Sequence, residues 1–222
     1  MRKSSIILMI FFISQLNLFA ADYRKEKILS WEVYLQKTDD ETKKVTIKKA
    51  FEQLKIDLAQ IEKLVPKKHL GKLKKVKIWI SFNSQPGAAY HPSERWLREN
   101  GRYPKMAKAI EIQNAQNYID WLQYQPMIIL HELSHAYHHQ VLSYNHKGIL
   151  SAYNNAKNTG IYDSVNYISG GKKRAYAMNN EKEYFAELTE AYFGKNDFFP
   201  FIKSELKKHD PKGYALIHKI WN

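Results

Sequence analysis

His131, Glu132 and His135 stand at the spacing HExxH within QPMIILHELSHAYHHQVL, Gln125 to Leu142. Residues four apart share one face of a helix, so both imidazoles can point at a single ion while Glu132 sits beside it. From that position a carboxylate can take a proton from a zinc-bound water, and the resulting hydroxide can attack a polarised carbonyl. General-base work of this kind is worth about 10²- to 10⁴-fold in rate. The longer pattern HExxHxxGxxH is excluded, because His138 and Val141 occupy the positions that need Gly and His. His139 reads as a partly exposed histidine on the last turns of the same helix.

Two histidines and one water leave a tetrahedral zinc one protein ligand short. The segment NNEKEYFAELTEAYFG, residues 179–194, is the expected source. Asn179 or Asn180 can cap it and Gly194 can end it; Glu183, Glu187 and Glu190 fall on one face, with Phe185, Leu188 and Tyr192 on another. A buried acidic face needs a compensating cation, which a zinc ion held by two histidines supplies. The bland alternative is a solvated acidic face on which Glu183 closes a capping box to Asn180. Glu183 is the preferred third ligand, with Glu187 one turn on as the acceptor that fixes a histidine N–H. Spacing alone leaves Glu187 open as the ligand itself.

The elements that must position these groups follow from periodicity. Pro126 suits a first helical turn, and Met127, Ile128, Ile129, Leu130, Leu133, Ala136, Tyr137 and Val141 make the HExxH helix a buried one. Upstream, Ile28 to Gln36 alternates like a strand with Trp31, Val33 and Leu35 on one face. Glu41 to Val65 reads as a long amphipathic helix started by Asp39–Asp40 and stopped by Pro66, its apolar stripe including Val45, Phe51, Leu54, Leu58 and Ile61. Lys75 to Ser81 is the clearest strand, and the Gly- and Pro-rich stretch 82–108 reads as a long loop in which His91 could reach a substrate. Ala109 to Asn114 is a candidate edge strand along which an extended peptide could lie. NYIDWLQY and residues 146–157 read as helices, residues 161–177 as a hairpin around Gly170–Gly171, and 197–222 as two short helices closing the domain, the second opened by Asp210–Pro211.

Length and composition set the frame. With 222 residues and 44% hydrophobic content, one well-buried domain is expected over 21–222, with the core of the site at 125–195. Arg2 and Lys3, the apolar run Ile6 to Phe19 and the small Ala20–Ala21 read as a signal peptide over 1–20, cleaved after Ala20. Ser14, Gln15 and Asn17 interrupt that run, which favours cleavage over a membrane anchor, so residence is expected to be secreted or periplasmic. The absence of cysteine excludes disulfides, thiolate nucleophiles and cysteine-bound zinc. Net charge is +13, but the lysines are scattered over helix-like segments rather than gathered into an aromatic-interleaved strip. Nucleic acid is therefore set aside as a partner, and a solvated basic face or contact with an anionic cell envelope is expected instead.

HELSH together with Tyr176-x6-Glu183-Tyr-Phe-Ala-Glu187 resembles the catalytic domain of lethal-factor-like zinc metallopeptidases. The resemblance covers roughly residues 125–195. It implies that His131, His135 and Glu183 bind one Zn²⁺, that Glu132 is the base, and that Tyr176 assists the oxyanion. The phenol of Tyr176 would then donate a hydrogen bond where negative charge develops. The implied fold is α+β and zincin-like: a small mixed sheet, the HExxH helix, a glutamate-ligand helix and a C-terminal helical cap. The implied activity is hydrolysis of peptide bonds in a peptide or protein substrate, as an endopeptidase. The competing readings are a non-catalytic exported binding protein that keeps the fold, and a zinc hydrolase of a non-peptide amide.

Overall fold

The structure is a computed structural model and describes residues 22–83, 85 and 87–222. The signal peptide expected over residues 1–20 lies outside the described residues. Among those described, no helix is long and apolar enough to cross a membrane.

The chain is α+β, with a five-stranded mixed sheet at its centre. Strands β1 (Tyr23–Ile28) and β2 (Trp31–Gln36) form an antiparallel hairpin. The alternation from Ile28 onward reads as one strand, yet Leu29 takes a φ of 52° and turns the chain back. A period-two pattern continues on either side of so tight a turn, which hides it. Trp31, Val33 and Leu35 do point into the core. The order is β1-β2-β3-β5-β4, with β3 (Ile78–Ile80) parallel to both β2 and β5 (Ala109–Ile112), and β4 (Ala88–His91) antiparallel to β5. Thus β5 is paired on both sides and cannot be the edge strand expected there. The edge strand on this side of the sheet is β4, inside the stretch that reads as loop, and β1 forms the opposite edge.

Helix α1 (Glu41–Leu64), capped by Asp40, covers one sheet face through Ile47, Ala50, Leu54, Leu58 and Ile61. These recur at three and four residues, whereas Val45 falls outside the stripe and is exposed. The other face is also covered: Trp79 packs in a second small core with Leu97 of α3 (Glu94–Glu99), Met106 and Ala109. Behind that cluster His91 is buried, its Nε2 2.9 Å from Glu111 Oε2, so it turns away from any substrate. Arg102, Ser81 and Asn83 join the polar cluster on Glu111.

Helices α2 (Lys67–Leu73), α4 (Ala115–Trp121) and α5 (Ile128–Tyr137) follow, and α5 carries HExxH. It is apolar around most of its surface and ends in a π-helical turn, His138–Leu142. His138 is fully buried and held neutral, its pKa pushed down by burial to about 3. His139 stacks on Tyr144 and meets Tyr90 Oη at 2.9 Å, so neither joins the metal-facing pair. Helix α6 (Lys147–Thr159) ends at left-handed Gly160. The expected hairpin is reduced to a two-residue ladder of β6 (Val165–Asn166) and β7 (Lys172–Lys173). Helix α7 (Glu181–Phe193) starts at Asn180, whose side chain accepts from the N–H groups of Lys182 and Glu183. The last helices, α8 (Lys203–His209) and α9 (Pro211–Trp221), pack behind α7, with fully buried Trp221 against Tyr137, Phe185 and Phe193.

Candidate metal centre

Helices α5 and α7 cross so that three donor atoms meet. His131 Nε2, His135 Nε2 and Glu183 Oε2 lie 3.1 Å from one another in all three pairs. Ligands held tetrahedrally at zinc distances of about 2.0–2.1 Å stand roughly 3.3 Å apart, so the triangle has the dimensions of one face of such a site. Its chemistry agrees with its size. His131 Nδ1 is 2.5 Å from Glu190 Oε1, a bond in which the ring donates to the carboxylate, so that the neutral imidazole would offer its Nε2 lone pair to a metal ion. Lone pairs and a carboxylate converging at this distance repel unless a proton or a metal ion lies among them.

The electrostatics point the same way. Burial acts to depress the His131 pKa, but Glu190 and Glu183 overcome it and raise it well above the usual imidazole range. Burial acts to raise Glu183, yet hydrogen bonds from His131 and His135 hold it well below the usual carboxylate range. The site therefore favours positive charge at this point, whether a proton or a metal ion. Glu183 does not close the capping box to Asn180; its carboxylate faces the two rings instead.

Glu132 and Tyr176 flank the triangle. Glu132 Oε2 accepts from the backbone N–H of Tyr90 on β4 at 2.7 Å, which fixes the carboxylate where it faces two adjoining cavities. Burial raises the Glu132 pKa against the pull of His135 and His131. Tyr176 begins a short 3₁₀ turn, Tyr176–Met178, rather than ending a strand, and its ring centre is 6.4 Å from that of His131. It lines both cavities, and burial followed by the charge of Glu183 raises its pKa, so the phenol keeps its proton at neutral pH.

Glu187 stands elsewhere than expected. Its Oε1 is 4.0 Å from His131 Nδ1, on the far side of the ring from the triangle, and its Oε2 accepts from Asn196 Nδ2 at 3.1 Å. The acceptor on the His131 N–H is Glu190. Both glutamates lie on the same helical face, and which one meets the ring depends on how far α7 slides along α5. His131, Glu187 and Glu190 nonetheless form a second grouping with ligand atoms within 4.8 Å of one another.

Two further contributors were not legible as site residues. The backbone of β4 is one, because Gly87 O and His91 O accept from Gln113 N and Lys108 N on the β5 side, which turns Ala88 and Tyr90 outward to the free edge. Gly87 leads into that strand at a φ of 75°, and a Cβ there would come within 3.2 Å of the Trp121 ring. The second is Asp197, buried beyond the end of α7 and lining the same cavity as Glu187 and Glu190. An isolated aspartate in a Phe-rich turn carries no sequence signal.

The chain matches no protein-family model and no curated protein. Among solved structures it is similar to the Pro-Pro endopeptidase PPEP-2 from Paenibacillus alvei, at 19% identity and a TM-score of 0.45, over 85% of this chain and 95% of that chain.

Proposed function

We propose that this chain is an exported zinc-dependent endopeptidase of the lethal-factor-like kind, secreted or periplasmic. The observation that carries the reading is the triangle of His131, His135 and Glu183 donor atoms with Glu132 beside it and a free strand edge in front. A zinc ion held by those three residues supplies Lewis acidity, lowering the pKa of water and polarising a carbonyl.

The chain's own residues do the rest. An extended peptide adds to the outward edge of β4, where Ala88 and Tyr90 present backbone groups. The Tyr90 N–H is already committed to Glu132, so binding of the strand and placement of the base are coupled. Glu132 removes the proton from the attacking water and returns it to the leaving amine; its burial lifts its basicity toward that role. The Tyr176 phenol donates to the oxygen that gains negative charge.

Zinc content of the mature protein by elemental analysis, beside Glu183→Gln, His135→Ala and Glu132→Gln, tests this. About one zinc per chain, lost in the first two variants and kept in the third, with peptide hydrolysis lost in all three, is the expected result. Full hydrolysis by Glu132→Gln, or fully folded wild-type protein that takes up no zinc, would overturn it.

A further inference from the structure

The larger cavity at the metal centre holds about 360 Å³ and is lined by Glu132, Tyr176 and His131 together with an acidic group. Glu187, Glu190 and Asp197 form that group, each more than nine-tenths buried. Glu190 is committed to His131, and Glu187 takes one hydrogen bond from the Asn196 amide. Among the described residues, Asp197 Oδ1 has no hydrogen-bond partner. Among the described residues the ion pairs of Glu187 and Glu190 are with His131 alone, and Asp197 makes none. Lys173 lines the cavity, but its ammonium rests over the Tyr167 ring, 4.1 Å from its centre.

A chain with 35 Lys and Arg against 22 Asp and Glu has cations to spare, and it places Arg102 on buried Glu111, yet among the described residues no Lys or Arg pairs with Glu187, Glu190 or Asp197. Burying carboxylates without a counter-charge is costly, and the cost is recovered when a cation enters. The side walls add a second requirement. Trp121, Tyr167 and Phe198 line the same cavity. Aromatic walls suit an apolar stem, and a charged tip beyond them suits carboxylates.

We propose that this cavity is a specificity pocket for a lysine or arginine side chain next to the bond to be cut, with Asp197 and Glu187 receiving the charged tip. The inference rests on the peptidase reading and adds the class of substrate. Burial, then repulsion from Glu190, raises the Asp197 carboxyl to about 7, so a cationic side chain would displace a proton that is only weakly held. A second metal ion suits the pocket less well. The one nitrogen available to it, His131 Nδ1, is already donating to Glu190, and the walls are aromatic.

The test has two arms, both on the zinc-loaded mature protein, with Asp197→Asn and Glu187→Gln alongside. The first is cleavage of an end-blocked peptide library, read by mass spectrometry. The expected kcat/KM for Lys or Arg at one subsite exceeds that for Leu there by roughly tenfold or more, and the ratio collapses toward one in Asp197→Asn. The second is calorimetric titration with benzamidine, which reads the pocket whether or not any peptide is cut. Saturable binding by wild type, weakened about tenfold or more in Asp197→Asn, is expected. Glu187→Gln gives a second reading should Asp197→Asn fail to fold. Cleavage with no basic preference would sink the inference and leave the peptidase reading standing. No cleavage of any peptide would count against the peptidase reading, and benzamidine binding would then decide the pocket, with none overturning it. A second zinc per chain, lost in Asp197→Asn, would assign the acidic group to a metal and also overturn the proposal.

Discussion

Replacing Glu190 by Gln removes one negative charge and changes little else in shape. Glu190 Oε1 sits 2.5 Å from His131 Nδ1, and both side chains are nearly closed off from solvent. A cation on the Nε2 side is then roughly 6 Å from the carboxylate; with one of its two charges offset by Glu183, Coulomb's law at an effective dielectric of about 20 gives roughly 3 kcal/mol. That corresponds to about 100-fold in affinity, at the upper end of the 10- to 100-fold typical for the partner of a metal-binding histidine. Glu187→Gln, whose nearest oxygen is 4.0 Å from the same nitrogen and lacks a hydrogen bond to it, is expected to cost less. Zinc affinity measured by competition with a chromophoric chelator, with circular dichroism to confirm folding, provides the comparison. Unchanged affinity in Glu190→Gln beside a large loss in Glu187→Gln would refute the reasoning and restore Glu187 as the residue that orients His131.

Other predictions concern catalysis and the scaffold. Tyr176→Phe is expected to lower kcat by about 10- to 1000-fold while leaving zinc content unchanged, since the phenol touches neither histidine by a hydrogen bond; equal loss of metal and turnover would contradict it. Glu111, although burial acts to raise it, is held below the usual carboxylate range by His91, Arg102 and Ser81. Its folded pKa is thus depressed, so its contribution to stability is complete above the unfolded value of about 4.3 and is lost as pH falls through the folded one. Glu111→Gln is expected to flatten that part of the acid-denaturation profile, and an unaltered slope would argue against the cluster. Leu29→Gly should stabilise the β1–β2 turn by about 0.5–1 kcal/mol, because a left-handed φ of 52° is strained for leucine. Urea denaturation would detect it, and a lower midpoint would contradict the assignment of strain.

Much of the helical framework is legible in the chain itself. The HExxH helix, the glutamate helix with its Asn180 cap, the long helix after Asp40 and the Asp210–Pro211 start all carry local signals, since capping and 3.6-residue periodicity act over a few neighbours. The strands are less legible. The alternation around Leu29 runs through a turn, Ala88–His91 is four residues among Gly and Pro, and Ala109–Ile112 has the pattern of a strand without any mark of its place in the sheet. Trp79 alternates as an outward residue, yet α3 and the loop near Met106 cover it.

The sequence by itself determined which chemistry is available: two histidines at helical spacing with a glutamate between them, three more glutamates on one later helix face, and no cysteine to compete. It could not decide which of those glutamates meets which atom. That choice rests on the crossing of α5 and α7, which aims Glu183 at both Nε2 atoms, sets Glu190 against Nδ1, and turns Glu187 toward Asn196. The sheet order likewise made β4 an edge strand and joined Tyr90 to Glu132. The contacts of Glu132 with Tyr90 and of Glu183 and Glu190 with the histidines join residues 42 to 59 positions apart, beyond the reach of any local pattern, because packing of whole faces fixes them.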